Sequence, residues 1–230
     1  MKLIKRSSLK KHGKLLLMGN NNTSFIVLAS ASPRRVELMT LAGIQFTTVP
    51  ADICEEPLPN EAPIDHVIRL SYEKAVAVAA KHDGRFFIGA DTIVVLDGEI
   101  LGKPLDAADA MRMLTGLSAR NHEVITGFAV YDKDSGRHIS RSVATEVTFK
   151  KLEEKEISVY IATGCPMDKA GAYAIQGGAV HFVRSINGSY TNVIGLPMTE
   201  LYEVLQTVQA LPAWQPQNDH LQKEKPQPKG

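Results

Sequence analysis

The sequence predicts an α/β fold built on a sheet that is only partly parallel. Three observations carry this. Short apolar runs, "IVL" at 26–28 and "FFIGA" at 86–90, stand next to helical patterns, as in strands covered on both faces. Between His122 and Lys150, two longer strand-like runs flank the polar turn "DKDSG", which predicts an antiparallel pair. The chain of 230 residues is 44% hydrophobic, enough for one sizeable core.

The elements follow in order. Ile26, Val27 and Leu28 read as a buried strand. Ser32 then offers an N-cap oxygen, Pro33 takes the first helical position, and Val36, Leu38, Met39 and Leu41 give the helix an apolar side. "QFTTVP" alternates as a short strand, and the acid- and proline-rich loop "ADICEEPLPNEAP" follows. Pro63 starts a long helix to about His82, with Ile64, Val67, Ile68, Ser71, Ala75, Val78 and Ala79 on one side. "RFFIGADTIVVLDGEILGKP" reads as two strands broken at Gly89-Ala90-Asp91-Thr92, with a hairpin turn at Asp97-Gly98. Asp106 caps a helix to about Thr115, a further helix runs from Glu154 to Ala162, and a last one from Met198 to about Gln209. Residues 25–210 form the folded part. Residues 1–24 read as a flexible basic extension and 211–230 as a disordered polar tail.

Composition narrows the function. A net charge of +1 argues against a surface dedicated to nucleic acid, and no apolar run has the length of a membrane span. Cys54 and Cys165 stand far apart outside any CxxC pattern, which suggests a reducing compartment and no structural zinc. Scattered histidines, His122 and His181 among them, read as packing or surface residues.

Several charges occupy unusual places. Arg34 and Arg35 fall in the first turn of a helix, already the positive end, so either an anion docks there or both are solvated. Asp91 follows an apolar run, where a carboxylate needs a cation, a donor or a metal. Lys74 lies at the margin of the long helix's apolar stripe and either snorkels to water or meets an anion. Lys103 sits in the turn "LGKP"; Glu55 and Glu56 lie in the acidic loop. Basic groups for an anion and carboxylates for a cation are what binding and hydrolysing a metal–polyphosphate requires. No Walker loop or GxGxxG accompanies them.

"LASASPRR", "EKA", "GADTIVV", "GEILGKP", "LSARNHEVITG", "DKAGAYAIQG" and "NGSYTNVIGLP" occur in this order, and with them the chain from Ile26 to Leu205 resembles the Maf family of nucleoside triphosphate pyrophosphatases. The resemblance implies a two-lobed α/β fold similar to the inosine-triphosphate pyrophosphatases, with the active-site cleft between lobes. It implies hydrolysis of a nucleoside triphosphate to the monophosphate and pyrophosphate by a cytoplasmic homodimer using Mg2+ or Mn2+, with no nucleic-acid or membrane partner. By position it makes Asp91 the proton acceptor, and Glu55 with Asp91 the metal-side carboxylates. Lys74, Lys103, Ser30 and Arg35 become the phosphate-binding residues. Arg34, Thr92 and Gln176 match the substrate-specificity positions of the branch acting on dTTP and UTP. Cys54 stands where an acid is frequent, a departure that bears on the metal shell. The family also carries a link to clearing unusual nucleotides and to cell-division arrest. Alternatives are a pyrophosphatase for 7-methyl-GTP or a modified nucleotide, and a nucleotide-binding regulator without catalysis.

Overall fold

A computed structural model describes residues 26–211; the basic stretch 1–24 and all but the first residue of the 211–230 tail lie outside the described residues. Seven strands form one mixed sheet in the order β2-β1-β3-β5-β6-β7, with β4 paired to the far end of β3. Strand β1 (Ile26–Leu28) runs parallel to β2 (Thr47–Thr48) and β3 (Phe86–Leu96). All other pairings are antiparallel: β3 with β4 (Glu99–Leu101), β3 with β5 (Asn121–Asp132), β5 with β6 (Arg137–Phe149), and β6 with β7 (Val183–Asn187). The partly parallel α/β sheet expected from the sequence is present.

The turns and caps have local causes. Asp97 (φ 54°) and Gly98 (φ 84°) both adopt the left-handed region, as a two-residue hairpin between β3 and β4 requires. Helix α1 (Pro33–Leu41) starts with proline, but the Ser32 hydroxyl makes no capping bond; its backbone N–H instead donates to Ser30 Oγ at 3.2 Å. Helix α3 (Ala107–Leu117) is capped as expected, with Asp106 Oδ1 accepting from the Asp109 amide at 2.8 Å. The other helices are α2 (Pro63–Ala79), α4 (Glu154–Ala162), the short α5 (Tyr190–Ile194) and α6 (Met198–Thr207).

Two expectations need correction. β3 is one continuous strand of 11 residues, so Asp91 lies mid-strand and not at a strand end. Gly89 is there for close approach, not to break the strand. A Cβ on Gly89 would fall 1.9 Å from the carbonyl oxygen of Ser71, and one on Gly127 of β5 would fall 2.4 Å from that of Val67. Helix α2 thus rests on the sheet backbone to backbone along a ridge at Val67, Ser71 and Ala75. That contact keeps Val67, Ser71, Ala75, Val78 and Ala79 of the expected stripe buried and extends the buried face to one side of it. Ile64 is 47% exposed, whereas His66, Leu70 and Lys74 are buried.

Two apolar cores divide the other face of the sheet. One gathers Phe86, Ile88, Ala90 and Phe128 with residues of α1 and α6; the second gathers Val94, Val124, Val147 and Phe149 with residues of α3 and α4. These are the two lobes. β1 pairs with β3 only as far as Ile88, and β4 begins pairing at Val94. Between them, on that side, β3 has no strand partner, and the cleft opens at this gap.

Gly89→Ala should lose more than about 3 kcal/mol in urea unfolding, because the clash is with backbone that cannot rotate away. Gly116→Ala, whose Cβ would meet only Leu96 Cδ2 at 3.6 Å inside α3, should instead gain about 0.5–1 kcal/mol.

His122 is buried, with Nε2 at 2.7 Å from the Tyr173 hydroxyl and Nδ1 without a partner among the described residues. Burial pushes its pKa down to about 4. The unfolded chain therefore binds a proton near pH 6.5 that the folded one refuses until about pH 4. Stability attributable to this residue is full above pH 6.5 and falls by roughly 3 kcal/mol as the pH drops to 4. Denaturation midpoints of wild type and His122→Phe between pH 4 and 7.5 should show a flatter acid limb in the variant. Parallel limbs would exclude His122 as the cause.

Candidate active site

The cleft encloses about 1060 Å³, and all nine residues expected from the sequence line it. Ser30, Arg34 and Arg35 come from the β1–α1 connection and the first turn of α1. Glu55 comes from the loop before α2, Lys74 from α2, and Asp91 and Thr92 from the stretch of β3 that has no strand partner on the β1 side. Lys103 and Gln176 come from the loops after β4 and before β7.

The centre is a buried ammonium between two carboxylates. Lys74 Nζ lies 2.7 Å from Asp91 Oδ1 and 2.7 Å from Glu55 Oε1. The Lys74 side chain is only 8% exposed, so it does not snorkel. It is the counter-ion that lets Asp91 lie 8% exposed inside the fold. Lys103, largely exposed, approaches Glu55 Oε2 at 3.7 Å. Burial works to raise the Glu55 pKa, but the hydrogen bond and charge of Lys74, with Lys103 and Arg35 beyond, hold the carboxyl below its usual value.

Arg35 is tied into the cleft wall by its own side-chain bonds. Nε donates to Gly195 O at 2.7 Å, Nη1 to Ala90 O at 2.9 Å and to Ser30 Oγ at 3.2 Å, and Nη2 to Thr92 Oγ1 at 2.9 Å. Four of its five N–H groups thus serve the protein, one of them on a carbonyl at the open edge of β3. Gly195 reaches φ 123° just after α5, a turn that favours glycine. The Thr92 hydroxyl is engaged too, 3.0 Å from Thr126 Oγ1, which donates to Asn192 O at 3.1 Å. Sequence reasoning missed Thr126, Asn192 and Gly195 as partners of the site. Gly195 and Asn192 lie within "NGSYTNVIGLP", yet only the fold shows that they hold Arg35 and Thr92 in place.

Arg34 faces the cleft with Asp168 nearby. Burial lowers the pKa of both guanidiniums from the ordinary arginine value, and neighbouring carboxylates, Asp168 for Arg34 and Asp91 for Arg35, offset this only in part. Both remain cations, and cations that have lost water favour an anion.

The Maf-like protein family matches residues 25–208. This chain belongs to that family. It is 62% identical over 188 residues to the dTTP/UTP pyrophosphatase of Citrifermentans bemidjiense, covering 82% of this chain and 97% of that protein. The dTTP/UTP pyrophosphatase of Syntrophus aciditrophicus is 46% identical over 189 residues, covering 82% and 92%. Among solved structures, the Staphylococcus aureus Ham1 protein aligns at 13% identity over 80% of this chain and 99% of that one, with a TM-score of 0.47.

The two arginines of the Maf-like site should separate by experiment. Arg35→Lys should cost about 2–4 kcal/mol of stability, since a lysine cannot replace four forked bonds. Arg34→Gln should change stability by less than about 1 kcal/mol while weakening nucleotide binding. Thermal melts with and without UTP read both.

Proposed function

We propose that this chain hydrolyses dTTP and UTP to the monophosphate and pyrophosphate. The observation that carries the reading is the Lys74 ammonium shared by Asp91 and Glu55 inside a cleft sized for a nucleotide. Family membership and relatives of that activity support it.

The donor set fits a divalent metal brought with its substrate. Two carboxylates within reach of one cation suit Mg2+, which takes one or two protein carboxylates and completes its shell with phosphates and water. No group of three or more metal-ligating side chains exists among the described residues, so phosphate oxygens are needed for such a shell. Glu55 and Asp91 would hold the ion, which would supply charge neutralisation on the phosphate oxygens.

The protein's own residues do the rest. Asp91, fixed on a strand beside Lys74, orients a water and accepts its proton as the water attacks phosphorus and the α–β phosphoanhydride bond breaks. Lys74 and Lys103 turn from Glu55 to the phosphates and offset negative charge on the departing pyrophosphate. Arg35 holds the cleft wall together and has one N–H free for phosphate. For the base, Gln176 offers a donor and an acceptor and Arg34 a fork of donors, which suit the two carbonyls and ring N–H shared by uracil and thymine. Thr92 influences this choice through Arg35, because its hydroxyl already has protein partners. The homodimer and the cytoplasmic setting rest on the family resemblance. The net charge of +1 supports a small-molecule substrate over nucleic acid, and no helix among the described residues is long and apolar enough to cross a membrane.

Pyrophosphate release from UTP, dTTP, CTP and 7-methyl-GTP, each with Mg2+ and Mn2+, tests the assignment. UTP and dTTP should lead, and CTP should trail by tenfold or so, because its exocyclic amine sets a donor against a donor. Asp91→Asn should lower kcat by roughly 10²-fold. Best turnover of CTP or 7-methyl-GTP would refute the base assignment; near-normal turnover by Asp91→Asn would remove it from the mechanism.

A further inference from the structure

Glu55 is the less anchored of the two carboxylates of the site. It lies on a loop, its side chain is 45% exposed, and its direct ties are to Lys74 and Lys103, the two lysines that the substrate's phosphates would draw away. If those were its only ties, Glu55 would be released at the moment it was needed.

A second set of contacts holds the same loop without using either lysine. Glu61, only 7% exposed, accepts from Arg69 Nε at 2.5 Å and from Arg69 Nη2 at 2.7 Å. The same carboxylate meets His66 Nδ1 at 2.9 Å and accepts from the Leu58 amide at 3.0 Å. Arg69 Nη2 also donates to the carbonyl of Glu56 at 3.2 Å, the residue next to Glu55. The loop is therefore laid along α2, with Glu55 on Lys74, Glu56 on Arg69, Glu61 on His66 and Arg69, and Leu58 held in turn by Glu61. A bidentate guanidinium–carboxylate pair that is mostly out of water is a strong and directional tie.

We propose that the Glu61–Arg69 pair is a positioning clamp that keeps Glu55 at the cleft when Lys74 turns to phosphate. Arg69 touches no reacting atom in this scheme; it acts through the backbone at Glu56. This rests on the pyrophosphatase reading only for its kinetic readout.

Three measurements on the full chain test it. The first is the Mg2+ dependence of UTP turnover. Arg69→Met should raise the metal concentration for half-maximal rate and lower kcat, each by about tenfold, as loss of a partner behind a metal-side ligand does. KM for UTP at saturating Mg2+ should stay within about twofold, since the phosphate lysines remain. Arg69→Lys should recover little of this, because an ammonium cannot make the fork. Glu73→Gln, which removes only the exposed partner of Arg69 Nη1, should leave the metal dependence unchanged.

The second is a double-mutant cycle. In a Glu55→Gln background Arg69→Met should cost almost nothing further in kcat if Arg69 acts through Glu55. Independent, multiplying losses would overturn the clamp. So would a raised KM with unchanged metal dependence.

The third, hydrogen exchange, does not depend on turnover. In Arg69→Met the Leu58 amide, which donates to Glu61, should exchange about tenfold faster than in wild type, with the buried turns of α2 unchanged. Unchanged exchange there would overturn the clamp even in an active enzyme. A wild type that turned over no triphosphate would fail the functional reading alone and leave the exchange result to decide the clamp.

Discussion

Helix α2 meets the sheet through bare backbone at Gly89 and Gly127, and the chemistry of the cleft depends on that contact. With Val67, Ser71 and Ala75 on the contact line, the neighbouring row of Leu70 and Lys74 faces the cleft. One turn of helix closer or farther and the Lys74 ammonium could not sit 2.7 Å from Asp91. The same contact carries Arg69 and so the loop bearing Glu55. Packing at two glycines fixes three charged groups drawn from three separate segments.

The gap in the sheet edge is the second constraint. A strand with neighbours on both sides presents alternate side chains to opposite faces. Where β3 has left β1 and has not yet met β4, Asp91 on the α2 face and Thr92 on the opposite face both reach one cleft. An open edge leaves backbone carbonyls in want of donors. Arg35 meets that need at Ala90 and, by also holding Gly195, ties the far end of α5 to the sheet. Its place in the first turn of a helix, unfavourable for a cation on dipole grounds alone, is offset by acceptors that lie distant in sequence.

Much of this was legible in the chain. The strand order could not be read, but the partly parallel character, the Asp97-Gly98 hairpin and the start of α2 at Pro63 all followed from turn and capping chemistry. The nine site residues were legible as motifs, and the structure brings them to one cleft. What was not legible depends on distant partners. The break assigned to Gly89-Ala90-Asp91-Thr92 failed because a glycine that admits a helix looks, in sequence, like one that ends a strand. Lys74 was placed at the margin of the apolar stripe because the buried face is chosen by Gly89 and Gly127, which lie on other elements. The role of Arg35 as a bracket needs Gly195, which no local pattern supplies.

The charges of the cleft also explain why such a site can exist in the folded protein before any nucleotide arrives. A pocket of lysines and arginines prepared for a triphosphate would repel itself, and two lone carboxylates at its floor would resist burial. Here each set answers the other: Lys74 and Lys103 serve Glu55 and Asp91, and Asp168 stands near Arg34. A metal–triphosphate offers the same two kinds of charge in one ligand. On the proposed reading its cation would be held by Glu55 and Asp91 and its phosphates by the lysines. Such binding would exchange partners without leaving a charge alone, so the desolvation cost met in folding would not recur. Such an exchange keeps its geometry only if the carboxylates stay where the lysines left them. Asp91 does so because it belongs to a strand of the central sheet. Glu55, on a loop, needs a tie that the exchange does not touch.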